Sequence, residues 1–162
     1  MAGRTVSVAV QQFLIAMGLQ VAVVSYGRVL GISPNILLAW VLCLIWLGLE
    51  TIALPAAVLC GIFFDLLVKG PPGWSSLLLT VIAYAAGKAG RPGLRGRIAL
   101  AMAAGAVYGL FLAFSPGEGF AWNGTTVARW ATLSAVYNTC AALCLDALSL
   151  RAPWKKRGFS HA

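Results

Sequence analysis

From residue 5 to residue 27 the chain carries no charged side chain, and from residue 36 to residue 68 it carries only Glu50 and Asp65. Apolar runs of this length need a solvent that is not water. In a chain of 162 residues, 60% of them hydrophobic and 10% charged, too few polar groups exist to cover a water-facing globule. Soluble domains hold about 25% charged residues. The chain therefore reads as an integral membrane protein, and because lipid offers the backbone no hydrogen-bond partner, its spans are expected to be helices.

A hydrocarbon core of about 30 Å takes roughly 20 helical residues to cross. The first charge-free run predicts a helix over residues 6–26. Residues 36–68 would extend roughly 50 Å as one helix, too long for a single straight crossing. Since proline suits the first turn of a helix, Pro55 suggests two short helices, 34–49 and 55–68, turning near Glu50. Further spans are expected at 74–87, 98–114 and 127–150, with a basic tail over 151–162. The expected fold is an all-α, polytopic membrane bundle of six transmembrane helices in a single domain. Five is the alternative, if residues 36–68 form one tilted span.

The net charge of +8 has a distribution that argues for a membrane surface rather than nucleic acid. With six spans, Arg4, Lys88, Arg91, Arg95, Arg97, Arg151, Lys155, Lys156 and Arg157 share one side, nine of the twelve basic residues. Basic residues mark the cytoplasmic side, so both termini are expected in the cytoplasm, with Arg91, Arg95, Arg97, Lys155, Lys156 and Arg157 forming a basic rim against anionic lipids. Trp154 fits an interfacial anchor beside this rim.

Reactive groups are scarce. Cys43, Cys60, Cys140 and Cys144 lie in apolar runs without the paired spacing of a zinc site or a disulfide framework, and are expected to pack as small hydrophobes. The single histidine, His161, is in the tail. No cofactor, metal site or enzymatic activity is expected. The polar residues inside the spans read as packing devices. Asp65 is placed to pair with Lys69 and to reach the free amides around residues 74–76 across the Gly-Pro-Pro-Gly turn. Glu50 and Asp146 are expected to be solvated or ion-paired at helix ends. Asn138 needs an interhelical partner, as does a stripe of Gln12, Ala16 and Gln20. Ala101, Gly105 and Gly109, spaced by four, form a small-residue face for close helix packing, within the bundle ahead of between molecules.

Between Pro34 and Ala89 the order of features resembles the bacterial rod shape-determining protein MreD family. Pro34-Asn35-Ile36-Leu37-Leu38 opens a helix, Gly61 and Asp65 supply a Gly-x-x-x-Asp signature, Gly73 marks the turn, and Ala83-Tyr84-Ala85-Ala86-Gly87 gives a small-residue span. Arg129 and Asn138 extend the resemblance into the last helix. Asn35 departs from the pattern, standing where many members have an acidic residue.

The resemblance implies a non-enzymatic membrane scaffold of the cell-elongation machinery that builds peptidoglycan. Its partners would be the one-pass protein MreC and, directly or through it, MreB, RodA and a class B penicillin-binding transpeptidase. It also implies a fold similar to the substrate-binding subunit of energy-coupling-factor transporters, with Gly61, Asp65, Gly73 and Asn138 as fold-defining residues. The alternative function is a vitamin-capturing subunit of such a transporter. Those subunits tend to carry Ala-x-x-x-Ala in the first helix and lidding outer loops; here the first helix lacks that spacing, although Ala131 and Ala135 supply one in the last helix, and residues 115–126 are the one lid-like segment.

Overall fold

A computed structural model describes residues 2–26, 34–68, 73–90, 92–113 and 124–151. Among these residues the secondary structure is entirely helical: α1 (Ala2–Tyr26), α2 (Ile36–Trp46), α3 (Glu50–Val68), α4 (Trp74–Lys88), α5 (Leu94–Ala113) and α6 (Gly124–Arg151).

The organising element is the shortest one. Every residue of α2 from Leu37 to Trp46 is buried, as expected of a helix that is apolar on all faces. It touches each of the other five helices. Around it, α3 pairs with α4 and α5 with α6, while α1 lies mainly against α2.

The two tight pairs are made possible by glycines. A methyl group at Gly61 would land on the backbone of Ser76, so α3 and α4 are in backbone contact there. On α5, a Cβ at Gly105 would sit 2.8 Å from Ala135 Cα, and one at Gly109 would sit 2.6 Å from the Trp130 carbonyl oxygen. Together with the fully buried Ala101, these residues let α6 approach along about two helical turns. Their use is thus internal packing, and Ala131 and Ala135 form the opposite wall of the same contact.

α3 begins at Glu50, five residues before Pro55, which therefore lies inside the helix rather than at its start. The turn falls at Gly48, at φ +76°, close to the position expected near Glu50, and α3 starts just after it instead of at the proline. The Gly48 N–H donates to the Ile45 carbonyl and the Leu49 N–H to the Leu44 carbonyl, at 2.8 and 2.9 Å. This double bond pattern closes α2 around a left-handed glycine and satisfies its last carbonyls. Glu50 then opens α3, where its negative charge favours the helix dipole. α5 and α6 also start early, at Leu94 and Gly124 rather than at residues 98 and 127. Arg95 and Arg97, which made residues 88–97 look like a loop, lie in the first turn of α5.

The outer surface is apolar. Leu14 and Ile15 of α1, Leu59 and Leu66 of α3, Leu77 and Val81 of α4 and Leu148 of α6 are each more than half exposed. Among the described residues three helices, α3, α5 and α6, are long and apolar enough to cross a membrane. α2, with 11 residues, reaches about 17 Å and α4, with 15, about 22 Å, both short of a full hydrocarbon core.

The cysteines divide between two environments. Cys43 and Cys60 are buried, whereas Cys140 and Cys144 are exposed, which corrects the expectation that all four pack inside. The buried face of α6 runs through Ser134, Ala135, Asn138, Thr139, Ala142 and Asp146, and residues 140 and 144 fall opposite it. The inward face thus carries the polar residues Ser134, Asn138, Thr139 and Asp146, and the two cysteines take the outer side.

Gly61→Ala is expected to force α3 away from α4 and to destabilise the protein by about 1–3 kcal/mol, the usual range for overpacking. The melting temperature of the detergent-solubilised variant tests this; an unchanged value would show that the two backbones are not in contact.

Candidate functional site

The start of α2 lies inside the protein, where its free amides have no water to bond. Four side-chain contacts replace it. Asn35 caps its own helix, its Oδ1 accepting from the Leu38 N–H at 2.9 Å, as cap asparagines do. The Asn35 N–H donates to Asn138 Oδ1 on α6 at 2.8 Å. Gln20 on α1 accepts through Oε1 from the Ile36 N–H at 2.6 Å and from the Leu37 N–H at 3.4 Å, while its Nε2 donates to the Pro34 carbonyl.

Asn138 is satisfied on its other side as well. Its Nδ2 donates to the Ser134 carbonyl and hydroxyl at 2.9 and 3.0 Å. Gln20, Asn35 and Asn138 all have no exposed surface, so α1, α2 and α6 meet in one closed polar knot. Beside it, Asn35 Nδ2 and the Tyr108 hydroxyl are close neighbours, both buried and neither in hydrogen-bonding geometry with a described residue. Tyr108 in turn meets Phe64 edge-on, with ring centroids 5.7 Å apart.

A second polar device holds the α3–α4 hairpin. Asp65 Oδ2 accepts from the Gly73 N–H at 2.7 Å and Oδ1 from the Ser75 N–H at 3.1 Å. Both carboxylate oxygens thus cap the start of α4. Gly73 is at φ +92°, a conformation that only glycine adopts at no steric cost, and it cannot cap the helix with a side chain of its own. Asp65 supplies the missing acceptor from the neighbouring helix. One turn on, the Ser76 hydroxyl donates to the Val58 carbonyl at 3.1 Å.

At the opposite end of the bundle, Arg97 Nη1 lies 2.7 Å from Asp146 Oδ2 on α6. The same guanidinium sits over the Trp46 ring, 5.7 Å from its centroid, and its Nε donates to the Pro92 carbonyl. Arg97 therefore ties α5 to α6 and to the end of α2 instead of standing free on a basic rim. Asp146 is buried and ion-paired, the second of the two states expected of it, and Cys43 Sγ bonds the Ala142 carbonyl nearby at 3.3 Å.

Gln20 and Asn138 are brought together, Gly61, Asp65 and Gly73 are brought together, and Ala101, Gly105 and Gly109 line one helix contact. Gln12 is half-buried in an apolar cleft between α1 and α6, away from the knot. Arg95 is exposed. Lys69, Arg91, Trp154, Lys155, Lys156 and Arg157 lie outside the described residues, as does most of the lid-like segment. Asn35 and Tyr108 escaped notice as site residues. Asn35 directly before an apolar run is a helix-cap signature that could have found it; a tyrosine amid Ala and Gly gives no such sign. Among the described residues no three His, Cys, Asp or Glu side chains converge.

Asn138→Leu leaves the Asn35 N–H buried without an acceptor, and a loss of about 1–3 kcal/mol is expected. Thermal unfolding of the solubilised protein measures it, and Asn138→Leu matching wild type would remove the knot from any stabilising role. Asp65→Asn turns one of the two caps of α4 into a donor facing a donor. It should lower the melting temperature and raise the protease sensitivity of the hairpin, and full wild-type stability would contradict the clamp.

No family model matches the chain, nor does any curated protein or solved structure.

Proposed function

We propose that the protein is a non-enzymatic membrane scaffold of the bacterial cell-elongation complex, similar to the MreD family and binding MreC. The observation that carries this reading is the Gly61–Asp65–Gly73 hairpin. The residues through which the chain resembles that family are engaged in holding helices, Gly61 against Ser76 and Asp65 on the Gly73 and Ser75 amides. Asn138 is engaged likewise in the knot. The polar side chains thus face inward and fix the bundle, which leaves long apolar helix faces outward for lateral contacts within a membrane.

In this reading the chain crosses the bacterial inner membrane six times with both termini in the cytoplasm. RodA, its class B penicillin-binding transpeptidase and MreB are reached directly or through MreC, and the basic end contacts anionic lipids. The vitamin-capturing alternative needs a free small-residue face for its coupling subunits. The resemblance places that face in the first helix, where the spacing is absent, and the pair on the last helix, Ala131 and Ala135, is turned against Gly105 and Gly109, which weighs against it.

Depletion in the source bacterium should abolish rod shape, and the tagged protein should recover MreC from solubilised membranes. Unchanged morphology together with tight capture of a small vitamin would overturn the proposal.

A further inference from the structure

The α3–α4 pair is clamped at one end by Asp65 and open at the other. At the open end, Glu50 begins α3 and Lys88 ends α4, so opposite charges flank one groove. This groove encloses about 220 Å³ and is walled by Leu54, Ala83, Tyr84 and Gly87 between the two charges. The charges do not close on one another. Among the described residues Glu50 makes no ion pair or hydrogen bond, its carboxyl group lying over Gly87 at 3.9 Å from where a Cβ would be. Lys88 Nζ sits over the Tyr84 ring, 5.5 Å from its centroid. Both residues are exposed.

Leu54 and Tyr84 also line a second groove that runs on along the helix pair toward Asp65. It holds about 510 Å³ and is walled by Pro55, Val58, Thr80 and Val81. A charged compartment at a helix end therefore leads into an apolar one along the helix sides. That sequence matches the head and the chain of one amphiphile.

We propose that the α3–α4 face binds a phospholipid whose head group carries a primary ammonium beside its phosphate, that is, a phosphoethanolamine lipid. The ammonium donates to Glu50, the phosphate accepts from Lys88, and one acyl chain lies in the groove between Leu54, Val58 and Val81. The chemistry discriminates among head groups. A quaternary choline keeps the positive charge and has no N–H to give Glu50. A glycerol head has no cation to pair with Glu50, whose charge then repels the phosphate that Lys88 holds. Charge-assisted hydrogen bonds to a carboxylate are the stronger kind, and a half-solvated pair at a membrane interface supports selectivity of roughly two- to fivefold.

The test is native mass spectrometry of the intact protein in neutral detergent, titrated with dioleoyl phosphatidylethanolamine, phosphatidylcholine and phosphatidylglycerol at equal mole fractions. Wild type should carry the ethanolamine lipid roughly two- to fivefold more than the choline lipid. Glu50→Gln should abolish that preference by lowering ethanolamine-lipid uptake more than choline-lipid uptake. Lys88→Gln should lower uptake of both lipids, since both carry the phosphate. The proposal is overturned by equal ethanolamine and choline binding to wild type, by a preference that survives Glu50→Gln, or by phosphatidylglycerol outcompeting both in wild type. Both substitutions fall at exposed positions, so the folded bundle is available for each measurement.

Discussion

A helix that starts where there is no water leaves its first amides with nothing to bond, and each unmade bond costs on the order of a kcal/mol or more. α2 starts in such a place. Its five leading N–H groups, from Asn35 to Ala39, are all accepted by protein atoms, three of the acceptors being side chains from α1, α6 and the cap itself. Since Gln20 and Asn138 can meet those amides from one position only, they fix where α1 and α6 stand relative to the central helix. The rest of the bundle is arranged around that point.

The same logic recurs at the start of α4. α4 begins with Gly73, which has no side chain, so Asp65 reaches over from α3 to accept its amides. Neighbouring helices complete each other's ends, and glycines then bring their sides into contact. Where lipid replaces water, apolar contact alone gives helices little reason to choose one another. Specificity has to come from close backbone approach and hydrogen bonds across helices, and Gly61, Gly105, Gly109, Asp65 and Asn138 are where these are found. This division of labour accords with the proposed scaffold role, in which the outward surfaces are left to partners.

Much of this was legible in the sequence because charge is so sparse. The apolar runs marked the helices, the four-residue spacing of Ala101, Gly105 and Gly109 marked a close contact, and the isolation of Asp65 and Asn138 marked residues in need of partners. What escaped reading involved competing signals. Pro55 suggested a helix start, but Gly48 already supplied the left-handed turn that ends α2, so the proline was carried inside α3. Arg97 looked like one more rim residue because its partner, Asp146, lies 49 positions away. Cys140 and Cys144 lie outward because Ser134, Asn138 and Asp146 take the inward face of α6, a pattern that their apolar surroundings in sequence concealed.

The knot at the head of α2 also gives the bundle a calendar. Gln20 precedes α2 in the chain and is at hand as soon as that helix emerges, whereas Asn138 is encoded 103 residues after the amide it accepts from. Until the last helix is made, the Asn35 N–H must borrow an acceptor from something that will later be displaced. The central helix is therefore laid down early and finished last. A chain synthesised from its N-terminus has its keystone in place before its final support, and arrival of α6 is the event that seals the fold.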